Sequence, residues 1–197
     1  MKKSEALDNL LNSNNGYIKT SDALSIGVSK TYFIDFTKSR MLERVAHGLY
    51  MSQDAWHDEM FIIQVRYPEA IFSHETSLYL LDFAEREPVQ YSITLKANSR
   101  SSILSKEGIK VYKIKFEIFD VGLSTVQSQF GNTLRTYNIE RTICDLLRSR
   151  NNIEFQEFQA AIKGYVNKKD KDLPQLMRYA KLFSIEKIAR HYLEVLL

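Results

Sequence analysis

Gly27 interrupts the helical pattern near the N-terminus, and its position restricts the fold of this part of the chain more than any other residue. The apolar residues ahead of it, Ala23 to Ile26, are sufficient for only a short helix. Three residues just before that helix offer N-cap oxygens: Thr20, Ser21 and Asp22. Ser29, just after the glycine, is the N-cap candidate for the next helix. The pattern therefore predicts two helices joined by a tight glycine turn.

Another helix and a hairpin flank this glycine turn. Apolar residues at helical spacing predict a first helix over residues 4–13. After the helix that starts at Ser29, two extended runs, residues 41–45 and 49–51, lie on either side of a turn that contains Gly48. This order of elements is typical of a winged helix-turn-helix, in which the second helix of the pair enters the major groove of DNA. A three-helix module that binds other proteins would show a similar pattern, so a protein-binding adaptor is an alternative.

The residues predicted to contact DNA lie opposite an aromatic stripe on the helix that starts at Ser29. If Phe33 and Phe36 point into the core, the opposite face of the same helix can enter the major groove. That face consists of Ser29, Lys30, Thr31, Ile34 and Lys38. We assign Ser29, at the helix N-terminus, to a phosphate, and Lys30 and Thr31 to base edges. The preceding helix adds Thr20 and Ser21, and the hairpin adds Arg40, Arg44 and His47.

The sequence pattern changes after residue 57, which predicts two domains, residues 1–57 and 58–197. Only seven glycines and three prolines occur in the chain, so we expect a short, ordered connector between the domains. Residues 60–65 and 70–72 fit either a helix or a strand, and Ser73 is expected to cap a helix that reaches Phe83.

The sequence of the rest of the second domain predicts strands followed by helices. Strands are predicted over residues 91–95, 109–116 and 133–137, and four helices follow Asn138. The predicted fold class is α+β, with an N-terminal winged helix-turn-helix followed by a mixed α+β domain that ends in a helical bundle.

Motifs that carry catalysis are missing from the sequence. None of the seven glycines is spaced as in a phosphate-binding loop or a hydrolase elbow. The four histidines are scattered, and the run that starts at His74 lacks the second histidine of a zinc protease helix. No Asp or Glu is followed two residues later by Lys, which disfavours a metal-dependent nuclease. We therefore predict no catalytic residue, no metal site and no cofactor.

Three charged residues at the start of one helix, Glu140, Arg141 and Asp145, admit two interpretations. They form the site of a nuclease or nucleotide-modifying enzyme, or they are a solvated helix face supported by ion pairs. We favour the solvated face. Helical spacing also predicts that Phe155 and Phe158 both lie in the core.

Two stretches of the chain are rich in basic residues, although its formal net charge is only +3. One is residues 96–115. The other contains Lys163, Lys168, Lys169, Lys171, Arg178 and Lys181. Either stretch is expected to follow DNA phosphates or, equally, to be an exposed and solvated surface.

Cysteine usage and hydropathy indicate where the protein resides. Cys144 is the single cysteine, so it has no partner for an internal disulfide, and its apolar neighbours predict a small buried side chain. The N-terminus lacks the apolar core of a signal peptide, and no apolar run approaches the roughly 18 residues of a membrane span. We expect a soluble, cytoplasmic protein that does not enter a membrane.

Five runs of the sequence carry a resemblance to a known family: GVSKTYFIDF (27–36), MLERVAHGLYM (41–51), AIFSHETSLYLL (70–81), FGNTLRTYNIERTICDLLR (130–148) and YVNKKDKDLPQLMRYAKLF (165–183). In these runs the chain resembles the antitoxin component of AbiE-type abortive-infection systems, the type IV toxin-antitoxin group of phage defence. ERTICD is the most specific motif. The family often has glycine where this chain has Arg40, and Asp35 places an acid on the helix predicted to enter the groove.

The resemblance implies a function in two parts. The N-terminal domain would repress its own operon by binding a double-stranded DNA operator with inverted repeats, with two copies of the protein per operator. The second domain would counteract a cognate nucleotidyltransferase-like toxin without forming a stable complex with it. Neither part is enzymatic.

Overall fold

The computed structural model describes residues 2–196 of the chain and shows a mixed α+β architecture. Ten α-helices and two β-sheets lie within these residues, and none of the helices is long and apolar enough to cross a bilayer. The described residues form two compact units. One comprises the residues up to Pro68 together with Gln127–Leu134, and the other comprises Glu69–Val126 and the residues from Arg135 onwards. The chain therefore passes from one unit to the other at three points.

The first unit has seven regular elements, in the order α1 (Lys3–Ser13), β1 (Tyr17–Lys19), α2 (Thr20–Ser25), α3 (Lys30–Ser39), β2 (Glu43–Ala46), β3 (Leu49–Met51) and α4 (Glu59–Arg66). The three strands form an antiparallel sheet in the order β1-β3-β2. The three helices and the hairpin predicted here are present. Residues 60–65, which fitted either a helix or a strand, lie in α4. Strand β1 was not predicted, because three residues are too few for a recognisable alternation.

The turn at Gly27 closes α2. The backbone N–H of Gly27 donates to Leu24 O at 3.0 Å, and that of Val28 donates to Ala23 O at 3.1 Å. This pair of hydrogen bonds requires a left-handed residue, and Gly27 has φ +79°. A Cβ here would meet no atom within 4 Å, so the glycine is needed for its backbone conformation alone.

The start of α2 differs from the prediction. The helix begins at Thr20 with Lys19 as its N-cap, and no side chain caps it. Thr20, Ser21 and Asp22 therefore lie in the first turn and are not N-caps. The N-cap predicted for α3 is confirmed, because Ser29 Oγ accepts a hydrogen bond from Tyr32 N–H at 3.3 Å.

Helix α3 passes into the hairpin without a glycine. The backbone N–H of Leu42 donates to Thr37 O at 2.9 Å, and Met41 has φ +52°. Arg40, where the AbiE-type family often has glycine, is the C-cap and has φ −94°. The left-handed position is therefore Met41, and Arg40 needs no unusual backbone conformation.

The second unit contains most of a five-stranded sheet and six helices. Its elements are β4 (Ile71–Phe72), α5 (His74–Leu80), β5 (Ser92–Lys96), α6 (Ser102–Lys106), β6 (Lys110–Ile114), β7 (Leu123–Gln127), β8 (Thr133–Tyr137), α7 (Ile139–Arg148), α8 (Phe155–Asn167), α9 (Leu173–Leu182) and α10 (Glu186–Leu196). The strand order is β6-β5-β4-β8-β7; β4 pairs parallel to β8, β5 pairs parallel to β6, and β4 and β5 are antiparallel. Residues 127–134, which include the turn between β7 and β8, belong to the first unit.

Two predictions for the second unit need correction, and two of its elements were not predicted. The helix after Ser73 ends at Leu80, before Phe83, because Asp82 adopts φ +60° and lets Phe83 N–H bond back to Leu78 O at 2.8 Å. Helix α6 and strand β7 were not predicted. Phe155 is 68% exposed and not in the core, whereas Phe158 is 4% exposed and packs among the final helices.

Asp58 fixes residues 127–134 within the first unit. It is 2% exposed, and its Oδ1 caps α4 by accepting from Phe61 N–H at 3.0 Å. Its Oδ2 accepts from Ser128 Oγ at 2.5 Å and from Asn132 Nδ2 at 2.8 Å. The predicted domain boundary after residue 57 would thus separate α4 and residues 127–134 from the unit to which they belong.

Replacing Asp58 with Ala should lower the free energy of unfolding by about 3 kcal/mol, because it removes an N-cap and leaves the buried Asn132 amide without its acceptor. Denaturant titration measures the loss. Trp56 is the single tryptophan and stacks on Phe130 at 6.2 Å, so its fluorescence reports on residues 127–134 directly. The exposed neighbour Asp54, changed to Ala, is the control. Equal stabilities for the two variants would contradict the role given to Asp58.

Candidate functional site

Helix α3 presents the predicted DNA-contacting face to solvent. Phe33 and Phe36 are buried at 0% and 4% exposure, in a cluster with Leu7 of α1. The five residues assigned to the opposite face are exposed, apart from Ile34, which is half-buried: Ser29, Lys30, Thr31, Ile34 and Lys38. Asp35 is also exposed. The face therefore carries two lysines, one acid and two hydroxyls.

The hairpin places two of its predicted contact residues side by side. Arg44 Nε donates to Ala46 O at 3.4 Å, and Arg44 Nη2 lies 3.2 Å from His47 Nδ1. Both side chains are exposed, and the strand pairing has an irregularity between Arg44 and Ala46. These contacts hold the guanidinium group at the turn of the hairpin.

Arg40 forms an ion pair with Asp8 of the same unit. Its Nε and Nη2 donate to the two carboxylate oxygens of Asp8 at 2.9 and 2.7 Å, which ties the end of α3 to α1. The hydrogen bonds to Asp8 raise the pKa of the Arg40 guanidinium. Because its charge is already paired, Arg40 attracts a phosphate less than Arg44 does.

The residues predicted on α2 have local partners as well. Thr20 N–H donates to Gly48 O at 2.8 Å and so joins the start of α2 to the hairpin turn. Ser21 Oγ donates to Asp22 Oδ1 at 3.1 Å and is exposed.

The basic residues near the C-terminus divide into two groups. Lys163, Lys169, Arg178 and Lys181 are exposed. Lys168 and Lys171 are half-buried: Lys168 Nζ lies 3.1 Å from Asp170 Oδ2, and Lys171 Nζ donates to Lys168 O at 3.2 Å. The hydrogen bond from Lys168 lowers the pKa of Asp170.

Several basic residues of the 96–115 stretch also have partners in the second unit. Lys110 Nζ donates to Glu75 Oε1 at 2.9 Å. Lys96 Nζ lies 4.6 and 5.0 Å from the ring centroids of Phe116 and Phe119. Lys113 is exposed on β6, an edge strand of the sheet, where a charged side chain discourages pairing with another chain.

The charged residues of α7 are buried, so the predicted solvated helix face is wrong. Glu140, Arg141 and Asp145 are 7%, 0% and 2% exposed. Arg141 Nε donates to Asp145 Oδ2 at 2.9 Å, and its Nη1 donates to Ile118 O at 3.0 Å. Helical periodicity cannot reveal this environment, because the groups that cover α7 come from distant parts of the sequence.

Aromatic rings enclose the Arg141 guanidinium group. Its central carbon lies 4.0 Å from the ring centroid of Tyr137 and 4.4 Å from that of Phe183. A Cβ at Gly122 would lie 2.5 Å from Arg141 Cβ, so the turn at Gly122 must leave space for the arginine. The other oxygen of Asp145 accepts from Arg148 Nη1 at 3.3 Å. Burial raises the pKa of Asp145, although both arginines act in the opposite direction.

Glu140 and Cys144 also take part in packing. Glu140 Oε1 accepts from Tyr165 Oη at 3.4 Å and from Asp172 N–H at 3.3 Å, which joins α7 to α8 and to the start of α9. Cys144 is fully buried, as predicted, and burial raises the pKa of its thiol. The charged groups of the ERTICD run are thus engaged in contacts within the second unit.

His74 is a buried polar residue whose surroundings the sequence did not reveal. It has φ +52°, and its ring stacks on Tyr112 with the centroids 3.4 Å apart. Its two ring nitrogens lie 3.0 Å from Ser73 Oγ and 3.1 Å from Ser149 Oγ. Burial, and then the charge of Lys110, lowers the pKa of His74 well below its usual value, so the ring is neutral at pH 7. Among the described residues, no three His, Cys, Asp or Glu side chains are grouped to hold a metal ion.

Comparison with known proteins identifies a similar fold. No protein-family model matches the chain, and no curated protein matches it significantly. Among solved structures, the fold is similar to that of the RV2827C protein from Mycobacterium tuberculosis, with a TM-score of 0.60 and 12% sequence identity over 97% of this chain and 75% of that chain. At this identity the similarity is one of fold.

Breaking the Arg141–Asp145 pair should strongly destabilise the protein. Arg141→Met or Asp145→Leu alone should cost about 3–5 kcal/mol, because each leaves a buried charge without its partner. The double variant should cost much less than the sum of the two single changes. Denaturant titration of the four proteins measures this coupling.

The pair Glu186 and Arg190 offers a matched control, because it also has i,i+4 spacing and a 2.9 Å contact but is exposed. Its coupling energy should be below about 1 kcal/mol. Similar coupling energies for the two pairs would contradict the role assigned to Arg141.

Proposed function

We propose that this protein is a DNA-binding autorepressor and antitoxin of a type IV abortive-infection operon in phage defence. The observation that carries the DNA-binding half is the exposed face of α3, with Lys30, Thr31 and Lys38, in the same compact unit as a hairpin that carries Arg44 at its turn. The antitoxin half rests on the sequence resemblance.

The first unit supports a winged helix-turn-helix interpretation. Helices α2 and α3 are joined by the Gly27 turn, and the β2–β3 hairpin follows directly. In proteins of this type, the second helix reads the major groove, and the first crosses the phosphate backbone. In this proposal Lys30 and Thr31, in the first turn of α3, would contact base edges, and Lys38 would contact a phosphate. Arg44 and His47 would serve the wing.

The partner on DNA is a double-stranded operator with inverted repeats. Two copies of the protein would bind each operator, one on each half-site. Because helix-turn-helix proteins recognise half-sites separated by whole turns of DNA, the spacing of the repeats would follow from the arrangement of the two copies.

The second unit would counteract a nucleotidyltransferase-like toxin without a stable complex. Its exposed basic residues offer a surface for this role or for additional phosphate contacts: Lys163, Lys169, Arg178 and Lys181. Lys168 and Lys171 contribute less, because both are held by local contacts.

Our proposal includes no catalytic activity. An HTH-fused nuclease or nucleotide-modifying enzyme would need Glu140, Arg141 and Asp145 to meet a substrate, but these groups are buried and paired with one another or with neighbouring backbone. Metal-stimulated turnover of DNA or nucleotides by the purified protein would favour that alternative. Failure to bind the DNA upstream of its own gene would favour the adaptor.

Variants of α3 and the wing should separate base readout from phosphate contact. Lys30→Ala should cost about 1–3 kcal/mol on the operator and relax specificity at one position, because it removes a base contact. Arg44→Ala should weaken operator and random DNA alike if the wing contacts phosphates. Binding titrations on both DNAs measure the effects, with Lys187→Ala, an exposed lysine outside both basic stretches, as the control. Unchanged affinity in both folded variants would refute the DNA-binding assignment.

The role of the exposed basic residues in the second unit can be tested with a triple alanine variant of Lys163, Lys169 and Lys181. If these lysines bind phosphates, the slope of log K against log salt should fall by about 0.9 for each phosphate that the variant no longer neutralises. If they act against the toxin, the slope stays unchanged while rescue of toxin-producing cells fails. The matched control, which removes the same charge outside both basic stretches, is a triple alanine variant of the exposed residues Arg86, Lys187 and Arg190. A folded variant that is normal in both assays would show that this surface is only solvated.

A further inference from the structure

A cavity of about 300 Å³ lies within the first unit. Its walls come from the end of α1, strands β1 and β3, helices α2 and α4 and residues 127–134, all of which belong to this unit. This volume is at the lower end of the range for small-molecule sites. The DNA-binding proposal does not use it, because none of the residues assigned to DNA lines it.

One wall of the cavity offers an aromatic ring with a cation over it. Phe61 is half-buried, and Lys19 Nζ lies over its ring, 5.6 Å from the centroid. Leu49, which is fully buried, extends the apolar part of the wall. A planar ring can pack against this aromatic wall, and the ammonium group favours a negative charge attached to that ring.

The remaining lining is polar and includes groups that can recognise the edge of a ring. Asn14, Asn15 and Asn132 supply amides, and Asp22 supplies a carboxylate. Amides pair with rings that present a donor next to an acceptor, and carboxylates accept from amino groups on rings. A purely apolar ligand such as a lipid chain would form no hydrogen bond with this polar wall.

The amides are held in place before any ligand arrives. Asn132 is 4% exposed, donates to Asp58 and accepts from Asn15 Nδ2 at 3.2 Å. Asn15 has φ +53° and Gly131 has φ +80°, so the backbone around these amides adopts left-handed conformations that side-chain-bearing residues seldom use. A prearranged polar wall lowers the entropic cost of binding.

We propose that this cavity binds a nucleoside monophosphate, with the base stacked on Phe61, its edge facing the amides and Asp22, and its phosphate facing Lys19. The site does not depend on the DNA-binding proposal, so either assignment can fail without the other. A free amino acid could also pair its two charges with Lys19 and Asp22, but it would leave the aromatic wall and the amides unused.

Isothermal titration calorimetry of the full chain tests this proposal. The ligands are AMP, GMP, CMP and UMP and the four corresponding nucleosides. We expect at least one monophosphate to bind at one site with a dissociation constant below about 1 mM. Lys19→Gln should weaken that monophosphate about tenfold more than the nucleoside, because only the monophosphate carries a phosphate for Lys19 to bind. Phe61→Leu should weaken both by a similar factor, because it removes the stacking surface.

Lys187→Gln on α10, outside the cavity, is the matched control and should change neither affinity. Phe61 also contacts Tyr17 edge-to-face at 5.0 Å, so thermal unfolding of each variant is measured beside its binding. If Phe61→Leu does not fold, the Lys19→Gln comparison of nucleotide with nucleoside still decides the question. Absence of binding by all four monophosphates, binding that is insensitive to Lys19→Gln, or binding of amino acids in their place would overturn the proposal.

Discussion

The second unit depends on a buried ion pair in which the guanidinium group of Arg141 is the cation. It joins α7 to the backbone at Ile118 and packs against Tyr137 at the end of β8 and Phe183 just after α9. A buried charge needs hydrogen bonds and a counter-charge, and here Asp145 supplies the counter-charge from one turn further along the helix. The elements around Arg141 are therefore placed partly by hydrogen bonding, at Ile118 and Asp145, and partly by ring contact, at Tyr137 and Phe183.

A smaller set of polar contacts organises the first unit. Its apolar core is compact, with Phe33 and Phe36 of α3 against Leu7 of α1, and Arg40 ties the same two helices at their surface through Asp8. Asp58 then joins α4 to Ser128 and Asn132, which are distant in sequence. In a small core, each buried polar contact is a large fraction of the net stability.

Features set by local sequence could be predicted, and features set by distant contacts could not. Gly27 and Ser29 act through the backbone of their immediate neighbours, so the turn and the cap of α3 were predictable. The exposed face of α3 could be predicted from the spacing of the buried residues Phe33 and Phe36. Burial of Glu140, Arg141 and Asp145 was not predictable, because carboxylates and arginines at helical spacing are usually solvated, and the groups that bury these come from other elements. The same limit concealed the role of residues 127–134, whereas β1 was missed because its three residues are too few to show an alternation.

Asp58 binds partners, Ser128 and Asn132, that the ribosome adds long after Asp58 itself. Residues of the first unit are made first, but Ser128 and Asn132 follow only after β4, α5, β5, α6 and β6 of the second unit have been translated. Until then the Asp58 carboxylate of a nascent chain has no Ser128 or Asn132 to bind, and the first unit stays incomplete. Domains that are continuous in sequence can fold as they leave the ribosome, N-terminal domain first. In this protein, by contrast, a chain that stops before residue 127 lacks part of both units, and the proposed operator-binding unit is completed only when synthesis has reached Leu134.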